Sequence, residues 1–320
     1  MRKVLKNRYG LVRSGWIVFI CMALFYALTG MASMLSVEIL RKILIATGDI
    51  NDTTGYMSSL ALAIDDALPV ALQILMEIVI ILLSISVWKI MRYQWRDLGL
   101  RDFSKSFKKD GITGLLLGFG ACTMIFLILI FTDNVRIDSV RPDSYSSLFW
   151  WIVALLLVGF GEELFCRGLL MSVLRRSNNI YLIMALPSVI FAGIHLFNPG
   201  VTAISIVNII LIGIVFSYSY YKSGNLWMCI GYHITWNIFQ SVIYGMPVSG
   251  LNISSIMTSH YPAANLLNGG DFGIEGGILT TCVNVLLFLY LLYRYRTSTY
   301  EFLPDPHINF QGTSDTRKDY

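Results

Sequence analysis

Charged side chains are scarce in this sequence. Asp, Glu, Lys and Arg make up only 14% of the 320 residues, whereas hydrophobic residues make up 55%. An ordinary soluble domain has about 25% charged residues. The scarcity of charge therefore excludes a typical soluble protein and indicates an integral membrane protein. The net charge is only +4, and the basic residues lie beside apolar runs, so we expect topology determinants and no nucleic-acid partner.

Several familiar catalytic and metal-binding motifs are also missing. The five cysteines occur singly, without a C-x-x-C pair, so we expect neither a disulfide framework nor a thiolate zinc site. The sequence has no His-Glu-x-x-His and no Gly-x-Ser-x-Gly. These two absences argue against a zincin-type protease and a serine nucleophile elbow.

Apolar runs recur about eight times along the chain. A helix that crosses a bilayer needs about 20 predominantly apolar residues. Runs near this length predict membrane spans at residues 15–39, 68–90, 111–132, 147–174, 180–197, 201–221, 225–246 and 275–293. The sequence therefore predicts an all-α, polytopic membrane helical bundle with about eight transmembrane helices.

The basic residues are concentrated on one side of the predicted spans. Seven Lys and Arg residues flank the loop between the second and third spans, whereas none occurs from Pro247 to Gly273. By the positive-inside rule, both termini are predicted to be cytoplasmic. The polar segment 297–320 predicts a poorly ordered cytoplasmic tail, which leaves residues 1–296 as the membrane domain.

Ionisable side chains interrupt the fourth predicted span. Glu162 and Glu163 are adjacent, and Arg167 follows four residues after Glu163. One charge at the centre of a membrane helix costs about 2.5–3.5 kcal/mol, so such residues are candidates for a functional site. The i,i+4 spacing puts Glu163 and Arg167 on one helix face, where they can pair. Glu162 is rotated by about 100° and can meet other partners.

Two further spans carry residues of catalytic type. His195 lies in the fifth span, and His233 and Asn237 lie at i,i+4 in the seventh. A carboxylate beside a neutral imidazole can move a proton from water to a leaving amine. Imidazole and amide groups can donate hydrogen bonds to an oxyanion. Alternatively, Glu162, His195 and His233 could bind zinc with an open position for water. The residues therefore predict hydrolysis, either without a cofactor or with zinc.

These motifs, taken in order, resemble those of a known protease family. Glu162-Glu163-x-x-x-Arg167, Phe191-x-x-x-His195 and His233-x-x-x-Asn237 are similar to the motifs of the CAAX protease and bacteriocin-processing family (CPBP, or Abi). The resemblance covers about residues 145–245, the motif-bearing core of the membrane domain.

The resemblance implies roles for the individual residues. Glu162 and His195 would activate water, His233 and Asn237 would form an oxyanion hole, and Glu163 and Arg167 would be the supporting pair. The implied activity is that of an intramembrane endopeptidase, of glutamate or metalloprotease type, in the bacterial cytoplasmic membrane. Its partners would be membrane lipid and a hydrophobic or prenylated (CAAX-type) peptide or protein substrate.

Two functions of other classes remain open at this stage. An ion- or proton-coupled transporter could use Glu77, Glu162, Glu163 and the histidines as a relay, although the sequence shows no internal repeat that would favour one. A non-enzymatic bacteriocin-immunity membrane protein could retain the same residues. The sequence leaves open the substrate, the cleaved bond, the oligomeric state and the role of Glu77, which either lines a cavity or bonds a neighbouring helix.

Overall fold

The structure is a computed structural model that describes residues 5–6, 10–47, 67–100, 103–142 and 144–302. It is mostly helical, as the sequence predicts. The main helices are α1 (Ser14–Thr47), α2 (Ala67–Ile90), α3 (Ile112–Phe131), α4 (Tyr145–Glu163), α5 (Ile180–Ile194), α6 (Ala203–Ser223), α7 (Trp227–Asn237) and α8 (Ile278–Arg294).

Five helical stretches are long and apolar enough to cross a membrane. By length and composition they are Ser14–Thr47, Leu68–Ile90, Trp95–Phe131, Tyr145–Ser177 and Ala203–Ser223. By contrast, α5, α7 and α8 have 15, 11 and 17 residues. The described residues therefore contain five candidate membrane spans. The number of eight transmembrane helices and the cytoplasmic position of both termini stay predictions.

Three helical stretches contain wider, π-helical turns. These are Phe107–Gly111 before α3, Leu164–Met171 after α4, and Ile238–Ile243 after α7. Turns of this kind are rare and often occur at functional sites. Two of them begin directly after predicted site residues, Glu163 and Asn237. The uniform apolar runs of the sequence gave no sign of them.

Glycine residues allow α7 to lie close to α3 and α4. A Cβ atom at Gly114 or Gly118 of α3 would collide with main-chain carbonyl groups of α7, and one at Gly159 of α4 would collide with Ile234. Small residues permit this close approach between helices in membranes. The contacts place α7, which carries His233 and Asn237, directly beside α4, which carries Glu162 and Glu163.

The loops contain elements that the sequence analysis did not predict. Strands β1 (Arg136–Val140) and β2 (Met257–His260) form an antiparallel pair with an irregularity between Ile137 and Ser139. β2 belongs to the long connection between α7 and α8. Another part of this connection, the turn at Ser249, reaches the candidate site. The sheet therefore joins that connection to the segment between α3 and α4.

The beginning of the predicted tail packs against the helices. Phe302 is 1% exposed, and its ring centroid lies 4.1 Å from the Arg175 guanidinium carbon. Ser298 Oγ donates to the Lys222 carbonyl at 2.5 Å. Residues up to Phe302 are therefore ordered against the body of the protein, unlike the expected tail, and residues 303–320 lie outside the described part of the chain.

Candidate active site

A buried ion pair stands at the end of α4. Arg167 Nη1 donates to Glu163 Oε1 at 3.0 Å, and both side chains are 0% exposed. The Arg167 guanidinium carbon also lies 4.5 Å from the centroid of the Phe191 ring. The structure thus contains the pair that the i,i+4 spacing predicts, and it covers the cation with an aromatic side chain.

The imidazole of His233 lies between the two adjacent glutamates. Its Nδ1 is 3.1 Å from Glu163 Oε1, and its Nε2 is 3.7 Å from Glu162 Oε2. The Glu163 carboxylate, paired with Arg167, can only accept hydrogen bonds, so Nδ1 must carry the proton of this contact. Glu162, which the sequence left free to meet the histidines, thus lies near His233.

His195 is the C-cap residue directly after the last residue of α5. Its Nδ1 lies 2.8 Å from the carbonyl oxygen of Phe191, one turn earlier. A carbonyl oxygen accepts, so Nδ1 carries a hydrogen and Nε2 of the neutral ring is left as an acceptor. The helix end therefore holds the ring in the tautomer that can take a hydrogen bond from water.

Two cavities meet at the predicted catalytic residues. The first, called here the aromatic cavity, has an empty volume of about 530 Å³ and is lined among others by Phe191, Ile209, Phe216, Tyr232, Trp236 and Glu275. The second, called the carboxylate cavity, has an empty volume of about 850 Å³ and is lined among others by Gln73, Glu77, Trp151, Leu155, Glu162 and Val248. His195, His233, Asn237 and Ser249 line both. A substrate reaching one cavity would therefore contact the same polar groups as a substrate in the other.

The structure answers the question that the sequence left open for Glu77. Its side chain is 1% exposed and lines the carboxylate cavity. Oε1 accepts a hydrogen bond from Gln73 Nε2, on the same helix, at 2.9 Å. Oε2 has no hydrogen-bond partner among the described residues. It lies only 2.6 Å from the position that a Cβ atom on Gly161 would take, so the glycine leaves room for the carboxylate. Glu77 is therefore a cavity residue that packs against the turn before Glu162.

Glu275 is the site residue that sequence reasoning missed. It precedes α8 and lines the aromatic cavity together with both histidines. Its Oε2 accepts hydrogen bonds from Ser249 N at 2.5 Å and from Ser249 Oγ at 2.9 Å. No local motif marks this residue, because it meets the histidines only through the folding of a long loop.

The residues proposed as alternative zinc ligands share one cavity. Glu162, His195 and His233 line one cavity. However, the described residues contain no group of three or more His, Cys, Asp or Glu side chains that could hold a metal ion. Zinc binding by these three residues stays an alternative that elemental analysis of the active protein tests.

A known family model matches this region of the chain. Residues 144–239 match the family model described as type II CAAX prenyl endopeptidase Rce1-like. The matched segment contains Glu162, Glu163, Arg167, His195, His233 and Asn237, and the match confirms the resemblance to the CAAX protease family. Searches among curated proteins and among solved structures found no match.

Proposed function

We propose that this protein is an intramembrane endopeptidase that hydrolyses a peptide bond near the membrane in a hydrophobic or prenylated (CAAX-type) peptide or protein. The observation that carries the proposal is the convergence of Glu162, His195, His233 and Asn237, from three separate helices, on one cavity. The family match over the same segment supports it. The bacterial cytoplasmic membrane as location and a glutamate-type mechanism belong to the same proposal.

Glu162 is the proposed general base. Unlike Glu163, it makes no ion pair with Arg167, and its side chain is 13% exposed toward the cavity it lines. His195 assists, because its Nδ1 is bound to the Phe191 carbonyl and its Nε2 can accept a hydrogen bond from the same water molecule. General-base help of this kind contributes about 10²–10⁴-fold to a hydrolytic rate.

His233 and Asn237 are the proposed oxyanion donors. Since the Nδ1 hydrogen of His233 is directed at Glu163, the ring can donate from Nε2 only as an imidazolium. Such a cation would lie between the carboxylates of Glu162 and Glu163. The Asn237 amide, one helical turn further on, supplies the second donor. Each donor of this kind stabilises a tetrahedral transition state by about 2.7–4 kcal/mol.

The proposed reaction is balanced by one shuttled proton. Glu162 removes a proton from water, and the resulting hydroxide oxygen forms a bond to the carbonyl carbon of the substrate. The carbonyl electrons move onto the oxygen, where His233 and Asn237 donate hydrogen bonds. When the tetrahedral species collapses, the carbon–nitrogen bond breaks and protonated Glu162 returns the proton to the leaving amine. The products are a carboxylic acid and an amine, and Glu162 is a carboxylate again.

Glu163 and Arg167 are proposed to position the histidine. Arg167 neutralises Glu163 in a fully buried pair, and the same Glu163 oxygen holds His233 Nδ1. Neither Glu163 nor Arg167 has exposed surface from which to contact a substrate. Their contribution would therefore be the orientation and protonation of His233.

A cleavage assay with purified full-length protein tests the proposal. Peptides of apolar sequence, with and without a prenylated terminal cysteine, are incubated with wild-type protein, Glu162→Gln and the control Glu301→Gln in detergent. Glu301 is exposed and does not line either cavity. We expect cleavage by the wild type and by Glu301→Gln, and a loss of about 10²–10⁴-fold in Glu162→Gln. Full activity of a folded Glu162→Gln variant would remove Glu162 as the base.

A further inference from the structure

Both cavities at the site contain carboxylates, and neither is lined by a side chain that is permanently positive. Glu275 lines the aromatic cavity, and Glu77 and Glu162 line the carboxylate cavity. Within the described part of the chain, neither lining includes Lys or Arg. The nearby Arg167 is fully buried against Glu163. An acidic group entering either cavity would therefore lose water and meet a carboxylate, without gaining a lysine or arginine partner. The histidine charge at the site already lies between the carboxylates of Glu162 and Glu163.

Glu275 is held in place by hydrogen bonds to its main chain and to its carboxylate. Its main-chain carbonyl accepts a hydrogen bond from Asn208 Nδ2 at 2.8 Å, and Asn208 Oδ1 in turn accepts one from Thr281 at 2.6 Å. At the other end, both hydrogen bonds from Ser249 go to Oε2. Among the described residues, the side-chain hydrogen bonds of Glu275 go to Oε2, and none goes to Oε1. One oxygen of a fixed carboxylate is thus left for a ligand in the cavity that Glu275 lines.

The lining of the aromatic cavity includes the polar side chains of Asn208, Thr280 and Asn284, but part of its wall is apolar. Ile209 and Ile212 come from α6, and Phe191 and Trp236 come from α5 and α7. A lysine side chain combines an aliphatic stem, which packs well on such walls, with an ammonium group that needs an anionic or polar partner. A carboxylate that receives a charged donor forms a strong hydrogen bond in a low-dielectric site. The cavity is complementary to that side chain along its walls and at its charged end.

We propose that Glu275 is a specificity-determining residue, and that through it the aromatic cavity selects a lysine side chain next to the cleaved bond and rejects an acidic one. The inference rests on the proposed function, because the cavity is a substrate subsite only if His195, His233 and Asn237 act on a peptide. It adds a residue outside the matched segment to the determinants of substrate choice.

The experiment compares matched peptides that differ at one position. Full-length protein in detergent cleaves apolar peptides that carry Lys, Met or Glu at each position flanking the bond, and kcat/KM is measured for each. Since a hydrogen bond to a charged group is worth about 1.5–3 kcal/mol, we expect Lys to exceed Met by about tenfold or more at one position. We expect Glu to fall below Met at that same position. Equal values for the three peptides overturn the proposal and leave proteolysis standing.

Three variants separate the charge of Glu275 from its structural contact. Glu275→Gln keeps an oxygen that can accept from Ser249 but loses the charge, so the Lys-to-Met ratio falls to near one and the Glu peptide improves. Ser249→Ala removes one hydrogen bond and keeps the charge, so the ratio is retained. Asp271→Asn is the matched control, because Asp271 is an exposed acid on the same loop and lines neither cavity. A lysine preference that survives in Glu275→Gln contradicts the assignment.

A binding measurement keeps the inference separable from the proposed function. In the Glu162→Gln background, the Lys peptide is expected to raise the Tm more than the Glu peptide does, and Glu275→Gln should remove this difference. If the wild type cleaves no peptide, the proposed function fails, and this comparison still decides whether the cavity prefers lysine. Equal stabilisation by the two peptides overturns the inference.

Discussion

His233 and Glu163 are joined by a contact of 3.1 Å between Nδ1 and Oε1. The same oxygen accepts from Arg167 at 3.0 Å, so a fully buried ion pair and a cavity-lining imidazole depend on one carboxylate. The contact connects the stability of the helical bundle to the proposed chemistry. Substitutions of Glu163 should therefore alter both the stability of the protein and the catalytic rate.

Replacement of Glu163 by Ala should destabilise the protein strongly. The change leaves the Arg167 guanidinium buried without its partner, which costs about 3–5 kcal/mol. Thermal or denaturant-induced unfolding in detergent measures the loss of stability. The matched control is Asp133→Ala, which breaks an ion pair with Arg136 on an exposed loop and should leave the transition nearly unchanged. A normal transition for Glu163→Ala would contradict the importance of the buried pair.

Replacement of Asn237 by Ala should reduce kcat more than it changes KM. The amide is proposed to donate to the oxyanion, which exists only in the transition state, and the loss of one such donor costs about 10²–10³-fold in kcat. Steady-state kinetics on a cleavable peptide separates the two constants. Asn252→Ala, at an exposed position in the loop after α7, serves as control. A variant with a raised KM and normal kcat would place Asn237 in substrate binding instead.

Removal of metal ions should leave the proposed activity intact. Water activation is assigned to Glu162 and His195, which needs no metal. Elemental analysis of active protein, combined with a chelator treatment, checks this expectation. Stoichiometric zinc, together with activity that is lost to the chelator and restored by zinc, would reverse the assignment and make Glu162, His195 and His233 ligands.

The predicted orientation can be checked by cysteine labelling. The positive-inside rule places the 247–273 loop outside and the basic segment before α3 inside. Thr258 and Lys108 are both exposed, so Thr258→Cys and Lys108→Cys report on the two sides. Native cysteines must first be replaced, since Cys282 is exposed although the other four are buried. We expect an impermeant reagent to label position 258 in intact cells and position 108 only after lysis, and the reverse order would invert the topology.

Local spacing was sufficient to predict the parts of the site that belong to a single helix. The Glu163–Arg167 pair and the common face of His233 and Asn237 follow from the i,i+4 geometry, which is set by the backbone whatever the helix packs against. The apolar runs likewise predicted where helices occur, because a bilayer demands apolar segments of a certain length. These features needed no knowledge of the tertiary structure.

Contacts between different segments were decided by the tertiary structure alone. Whether Glu162 approaches His195 or His233 depends on the relative rotation and depth of α4, α5 and α7. The glycine contacts of α7 and the π-helical turns after Glu163 and Asn237 set that geometry. Glu275 and Ser249 reach the site from a loop, where no periodicity relates sequence position to direction. Such placements depend on the packing of the whole chain, since each small rotation of a helix carries its side chains to different neighbours.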